Sequence, residues 1–211
     1  SEMSYSVFDI PHRVLAQALY TTPKYLDNRL ATTVSLMYNG STGMRYCLTM
    51  NESVDFNGDT QKGNSLLYIP TQDELAKMTF ASAADRTNFG NWIEGDSYAK
   101  NHRGQYAERY SNSAPWENHF DLHFAESFYY LKGKSNKIEM SLDIINFGNM
   151  LNKEWGAVYG SDYTVQPLKV TAMTKNANGD YVPTYSYQDD KVYKSSFSSR
   201  WHMQVGLKVT F

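Results

Sequence analysis

Three stretches of the chain alternate apolar and polar residues with a strict period of two, the pattern of a strand with two unlike faces. Trp201 to Phe211 is the cleanest. Trp201, Met203, Val205, Leu207, Val209 and Phe211 fall on one face, opposite His202, Gln204, Gly206, Lys208 and Thr210. Leu30 to Tyr38 repeats the pattern, with Leu30, Thr32, Val34, Leu36 and Tyr38 against Ala31, Thr33, Ser35 and Met37. Ile138 to Ile145 sets Ile138, Met140, Leu142 and Ile144 against Glu139, Ser141, Asp143 and Ile145. Two more stretches alternate less cleanly. Arg13 to Tyr20 carries Leu15 and Leu19 on its otherwise polar side, and Glu126 interrupts the row Phe120, Leu122, Phe124, Phe128, Tyr130. A bulge near Ala125 is expected to turn Glu126 off the apolar side.

The connections between these strands decide the architecture. Thr21 to Arg29 and Lys132 to Lys137 are short turns, whereas about eighty residues separate Asn39 from Asn118 and more than fifty separate Asn146 from Arg200. A compact soluble domain seldom carries a structureless loop beyond ~15 residues. Outer-membrane barrels alternate short periplasmic turns with long extracellular loops. Eleven residues rising ~3.3 Å each and tilted by ~40° cross an apolar band of ~25 Å, the height of such a barrel's outer surface. The expected membrane strands are about 13–20, 30–50, 118–131, 137–146 and 200–211, with extracellular loops over 51–117 and 147–199. Five antiparallel strands fall short of the roughly eight that close a small barrel. Unpaired edges in lipid are not tolerated, so further strands are expected to complete the wall.

The long connections have content of their own. Met44 to Met50 reads as a continuation of the second strand. Thr71 is placed to cap a short helix over Gln72 to Met78, with Asp73 and Glu74 in its first turn. Ala83 to Glu94 reads as helical. Val165 to Thr174 and Tyr181 to Tyr187 flank Asn176-Ala-Asn-Gly-Asp180, a hairpin signal.

Composition narrows the function. With 211 residues, 20% charged and a net charge of −2, the chain lacks the basic footprint of a nucleic-acid binder. A mean hydropathy of −0.57 and apolar runs no longer than Leu66–Ile69 exclude a transmembrane helix, but not spanning strands. The single cysteine, Cys47, excludes an internal disulfide framework and a cysteine-based zinc site. Residues 1–20 lack the marks of a signal peptide. The chain is therefore expected to be cytoplasmic, already processed, or a piece of something longer. Residues 51–117 hold ten Asp and Glu against six Lys and Arg, so this segment is acidic. No nucleophile elbow, phosphate loop, dinucleotide fingerprint or His-Glu-x-x-His occurs, and no enzymatic activity or catalytic residue is expected.

Phe8-Asp-Ile-Pro-His-Arg13, Ser65-Leu-Leu-Tyr-Ile-Pro70, His102-Arg-Gly-Gln-Tyr-Ala-Glu-Arg109 and Ala114-Pro-Trp-Glu-Asn-His-Phe-Asp-Leu122 are followed by Ser141-Leu-Asp-Ile-Ile-Asn-Phe-Gly-Asn-Met-Leu-Asn152 and Trp155-Gly156. These segments resemble the TonB-dependent outer-membrane transporters of Bacteroidetes, and the Oar-like group more than the glycan-importing SusC-type proteins. They fall in order over most of the chain. The resemblance implies an all-β fold, the C-terminal five strands of a 22-stranded barrel closed by a plug domain outside this chain. It implies a place in the bacterial outer membrane and a share in importing a nutrient such as a peptide or glycan. Implied partners are the remaining barrel strands and plug, outer-membrane lipids and a surface lipoprotein on the outer loops. TonB would act only through the absent plug.

The terminal strand of Trp201, Met203, Val205, Leu207, Val209 and Phe211 resembles the signal read by the outer-membrane assembly machinery. The plainer reading is an edge strand that ends in phenylalanine. Two rival functions stay open: a non-transporting barrel subunit that scaffolds a larger outer-membrane complex, and a soluble β-rich binding domain.

Candidate ligand groups are few. Asp55, Asn57 and Asp59 carry oxygen donors at positions 1, 3 and 5 of a calcium loop. Thr60 stands where the loop glycine belongs and Leu66 where the closing Glu belongs, and Ser65 replaces an acidic residue common in the family segment. A solvated acidic turn is the favoured reading, with calcium in an extracellular loop as its rival. His119, Asp121 and His123 share one strand face, read as the polar lumen side rather than a metal site. Trp116, Tyr129, Tyr130, Trp201 and Phe211 are expected at strand ends as interfacial belts.

Overall fold

In the computed structural model, which describes residues 3–52, 55, 58–130 and 135–211, the alternating stretches pair into one five-stranded antiparallel sheet. The strands in chain order are β1 (Arg13–Thr21), β2 (Leu30–Ser41), β3 (Arg45–Asn51), β4 (Tyr68–Ile69), β5 (Gln105–Tyr106), β6 (Asn112–Ser113) and β7 (Glu117–Tyr129). They continue as β8 (Lys137–Ile145), β9 (Tyr159–Gly160), β10 (Thr164–Lys175), β11 (Tyr181–Tyr187), β12 (Tyr193–Lys194) and β13 (His202–Thr210). Among the described residues three α-helices, α1 (Gln72–Lys77), α2 (Ala83–Gly95) and α3 (Phe147–Leu151), and one 3-10 turn at Ala99–Asn101 complete the set. The protein is mostly β, with 45% of residues in strands and 13% in helices.

The chain divides into two compact units. One, the sheet unit, comprises Ile10–Gly43, Pro115–Tyr159 and Lys194–Phe211. Its strand order is β1-β2-β7-β8-β13, each neighbour antiparallel. Among the described residues β1 pairs only with β2 and β13 only with β8, so the sheet is open at both edges and no barrel closes. Ser41 lies opposite Glu117, and His202 opposite Ile145. Both long connections therefore leave and re-enter the sheet at the same end.

Asn146 ends β8 by taking a left-handed backbone, φ 54°. Its amide then ties the corner together: Nδ2 donates to the carbonyls of Gly156 at 2.8 Å and Ser199 at 2.9 Å. Its backbone N–H donates to Asp121 at 2.8 Å. The Asn-Phe-Gly-Asn and Trp-Gly segments are thus two sides of one corner.

The other unit, the mixed unit, comprises Ser1–Asp9, Met44–Ala114 and Gly160–Tyr193. Its four-stranded sheet has the order β11-β10-β3-β6, with β10 and β11 forming the expected hairpin and β10 running parallel to β3. Thr71 caps α1 in a full capping box with Glu74, and Ser82 caps α2. Leu48, Ile69, Phe89 and Ile93 are fully buried and form a core with Leu67, Leu75 and Leu168. Phe89 stacks on Trp92 at 5.8 Å. A core of this kind is what lets two long connections fold rather than stay open.

Two sequence expectations need correction. Residues 30–50 are two strands, because β2 ends at Ser41 and Arg45 begins a strand of the mixed sheet. Arg45 is fixed there by an ion pair to Asp9 at 2.7 Å and a hydrogen bond to the Tyr110 carbonyl. No bulge occurs near Ala125: the β2–β7 and β7–β8 registers run unbroken past it. Glu126 stays on the apolar side because Thr32 Oγ1 (2.7 Å) and the Tyr25 hydroxyl (2.9 Å) donate to its carboxylate there. Strand ends shift by one or two residues elsewhere: 118–131 is strand over Glu117–Tyr129, with Leu131 outside the described residues, 137–146 becomes Lys137–Ile145, and 200–211 becomes His202–Thr210.

Candidate functional site

Register turns five amphipathic strands into two continuous surfaces. Across the sheet, Ala18, Leu36, Leu122, Ile144 and Met203 form one row, and Tyr20, Val34, Phe124, Leu142 and Val205 the next. Thr32, Glu126, Met140 and Leu207 follow, then Leu30, Phe128, Ile138 and Val209. The ambiguity of β1 resolves here, since Ala16 and Ala18 lie opposite Tyr38 and Leu36 while Leu15 and Leu19 lie opposite Asn39 and Ser35.

The apolar surface is the exposed one. On the three inner strands Met140 is 59%, Phe124 42% and Leu36 40% exposed, with Ile144 alone among the apolar rows buried at 9%, whereas Ser35 and Ser127 on the polar surface are 7% and 5% exposed. A soluble sheet buries its apolar side, so this ordering is inverted. The polar surface is covered by its own long side chains. Gln17 Nε2 donates to Ser35 Oγ at 3.2 Å, Ser127 Oγ and Lys137 Nζ both donate to Glu139, and His123 Nδ1 lies 2.6 Å from Asp143.

Aromatic residues gather at both ends of the apolar surface. At one end the rings of Tyr38 and Phe120 meet at 4.9 Å, and the Tyr38 hydroxyl and Trp116 Nε1 both donate to Asn118 Oδ1. Trp155 joins Trp116, Asn118 and Phe120 around a cavity of about 370 Å³. At the other end stand Tyr20, Tyr25, Phe128 and Tyr130, whose hydroxyl donates to the Thr210 carbonyl at 3.2 Å. Eight residues separate Phe120 from Phe128, ~26 Å along a strand and ~20 Å across a band if tilted by ~40°.

The residues singled out from sequence land as follows. Met203, Val205, Leu207 and Val209 line the apolar surface on β13, an edge strand, with Trp201 and Phe211 just beyond its ends. Trp116 and Tyr130 stand at strand ends as expected, and Tyr129 lies on the other face with Lys24 over its ring at 3.6 Å. His119, Asp121 and His123 do not converge. His119 faces Glu117, Asp121 accepts from Asn146, and His123 meets Asp143. Asp55 accepts the backbone N–H groups of Gly58 and Thr60, and Asp59 those of Gln61 and the Asn64 side chain. Asn57 lies outside the described residues. Ser65 donates to the buried Glu52. Among the described residues no three His, Cys, Asp or Glu side chains group to hold a metal.

One feature escaped the sequence reading: a cavity of about 680 Å³ within the mixed unit, walled by Leu66, Tyr68, Met78, Tyr106, Leu168 and Tyr185 and edged by Glu74 and Arg109. Its signal is the run Ser65–Pro70, where Leu67 and Ile69 join the buried core and every residue but Ile69 borders the cavity. Hydrogen bonds from the Thr71 backbone, the Thr71 hydroxyl and the Tyr68 hydroxyl hold Glu74 below the ordinary carboxylate range, so it is ionised at neutral pH. The same bond to Glu74 raises Tyr68, and burial raises Tyr185. Deeper in the unit, burial pushes Tyr46 up to about 12. Cys47, also buried, is raised by burial while the Tyr110 N–H, donating to Sγ at 3.3 Å, pulls the other way.

Among the described residues no helix is long and apolar enough to cross a membrane, which says nothing of strands. Compared with known proteins, the chain matches no family model, no curated protein and no solved structure.

Proposed function

We propose that the sheet unit is part of the wall of an outer-membrane β-barrel, and that the whole is the C-terminal segment of a TonB-dependent transporter. The observation that carries the membrane reading is the exposed apolar surface, continuous through five strands in register and edged at both ends by aromatics. In water a patch of this extent would associate; in lipid it is solvated. The open edges of β1 and β13 then pair with the remaining strands of a 22-stranded barrel. The polar surface faces the lumen. The end carrying both long connections is extracellular, and the mixed unit is the folded part of those connections. Trp201, Met203, Val205, Leu207, Val209 and Phe211 serve as the assembly signal. Nutrient import rests on the resemblance of the segments named above.

The scaffold reading has one observation in its favour: the mixed unit has its own hydrophobic core, as suits a docking element for a surface lipoprotein. Membrane fractionation tests the common part. The chain, expressed within its native assembly, should stay with outer membranes through alkaline carbonate and urea washes. Release into the soluble fraction would instead support a soluble binding domain.

A further inference from the structure

We infer that the cavity of the mixed unit is a binding site for a small aromatic carboxylate. Its volume of about 680 Å³ lies within the ~300–1,000 Å³ of small-molecule sites. Its walls are aliphatic and aromatic, and the rings of Tyr68 and Tyr106 meet edge-on at 5.1 Å, a geometry that leaves ring faces and edges for a further ring.

The two charged groups on the cavity are not equivalent. Glu74 is largely engaged: Oε1 accepts from the Tyr68 hydroxyl at 2.9 Å, and Oε2 accepts from the Thr71 N–H and hydroxyl at 2.8 and 2.9 Å. A ligand cation would share the carboxylate with these donors. Arg109 has no hydrogen bond or ion pair among the described residues. Its guanidinium, a planar fork matched to a carboxylate, is the open electrostatic position of the site. An apolar aromatic body with one carboxylate satisfies both features. A sugar would leave the aliphatic wall unfilled, and an amine would compete on Glu74 with the Tyr68 and Thr71 donors while leaving Arg109 without a partner.

This inference rests on the mixed unit alone and is independent of the membrane reading. Its test is titration calorimetry of the full chain in detergent with 2-naphthylacetate, alongside the neutral 2-naphthylacetamide and maltotriose. Protection of Cys47 from a thiol reagent verifies that the unit is folded in each sample. The acid should bind, the amide should bind roughly tenfold to a hundredfold more weakly, and Arg109→Gln should erase that difference. Tyr106 is 68% exposed, so Tyr106→Ala should leave the fold intact and weaken acid and amide alike. Equal binding of acid and amide, binding of maltotriose in preference to the acid, or no effect of Arg109→Gln would overturn the proposal. So would absence of binding by a chain whose Cys47 is protected.

Discussion

Thr32 on β2 stands opposite Glu126 on β7, and its hydroxyl donates to the Glu126 carboxylate at 2.7 Å on the apolar surface of the sheet. With the Tyr25 hydroxyl, also bonded to Glu126, it holds a carboxylate among apolar rows without a bulge. Glu126 sits three residues from the end of β7, among the aromatics Tyr25, Phe128 and Tyr130. At a membrane interface a satisfied carboxylate costs little, whereas a charge at mid-depth costs much.

Depth and face should therefore control the effect of a new charge. In the native assembly Val205→Lys, on the apolar side of β13, should cost about 2–4 kcal/mol, whereas the adjacent Gln204→Lys should cost under about 1 kcal/mol. Urea unfolding in lipid bilayers checks this. Equal costs at the two positions would contradict the assignment of faces.

The corner at Asn146 admits only glycine at position 156. Gly156 has φ +60°, and a Cβ there would fall 1.7 Å from Asn146 Oδ1. Gly156→Ala should destabilise the sheet unit by about 1–3 kcal/mol, read as a lower melting temperature in detergent. Gly179→Ala, at φ +90° with open space around it, keeps the backbone strain without the clash and should cost less.

Cys47 reports on the mixed unit. It is buried, and its thiol is raised by burial, so it should resist a thiol reagent until the unit opens. Phe89 is fully buried beneath Phe80 and Trp92. Phe89→Ala should cost about 3–5 kcal/mol and accelerate labelling of Cys47 in the absence of denaturant. Unchanged labelling would show that the core does not protect the thiol.

The pH dependence of the mixed unit follows from three groups. Glu74 is lowered by Thr71 and Tyr68, and Asp85 by the Ser82 hydroxyl and the Tyr187 N–H. Carboxylates depressed on folding stabilise the folded unit above their unfolded values and lose that contribution as pH falls through the folded ones. Tyr46, raised to about 12 by burial and by Asp96, contributes fully below its ordinary value of 10.0 and loses the contribution as pH rises through about 12. Cys47 labelling against pH should show protection that falls at both extremes. Thr71→Val should move the acid limb to higher pH, and Tyr46→Phe should move the alkaline limb. Limbs unmoved by either change would assign them to other groups.

What the sequence discloses and what it withholds have a common cause. Alternation in Trp201–Phe211 is local, and so are the Thr71 capping box and the Asn176–Asp180 turn; each formed as read. Pairing between distant residues is not local. The end of β2 was missed because Arg45 to Met50 alternates much as Leu30 to Tyr38 does, while its partners in β10 lie more than a hundred residues away. Sequence alone asks for a bulge at Glu126 because Tyr25, which satisfies its carboxylate, is 101 residues distant. The cavity lay hidden for the same reason, since Leu66, Tyr106, Leu168 and Tyr185 meet only once the two long connections have folded together.

The orientation of the apolar surface toward lipid is most directly tested by spin labels on β13. Single cysteines placed from Met203 to Val209 in a Cys47→Ser background, in membranes holding the native assembly, would report collision with lipid-soluble oxygen and with a water-soluble nickel chelate. A lipid-facing apolar surface gives oxygen access at Met203, Val205, Leu207 and Val209, and nickel access at Gln204, Gly206 and Lys208, with a period of two. Nickel access at Val205 and Leu207 equal to that at Gln204 and Lys208 would contradict it.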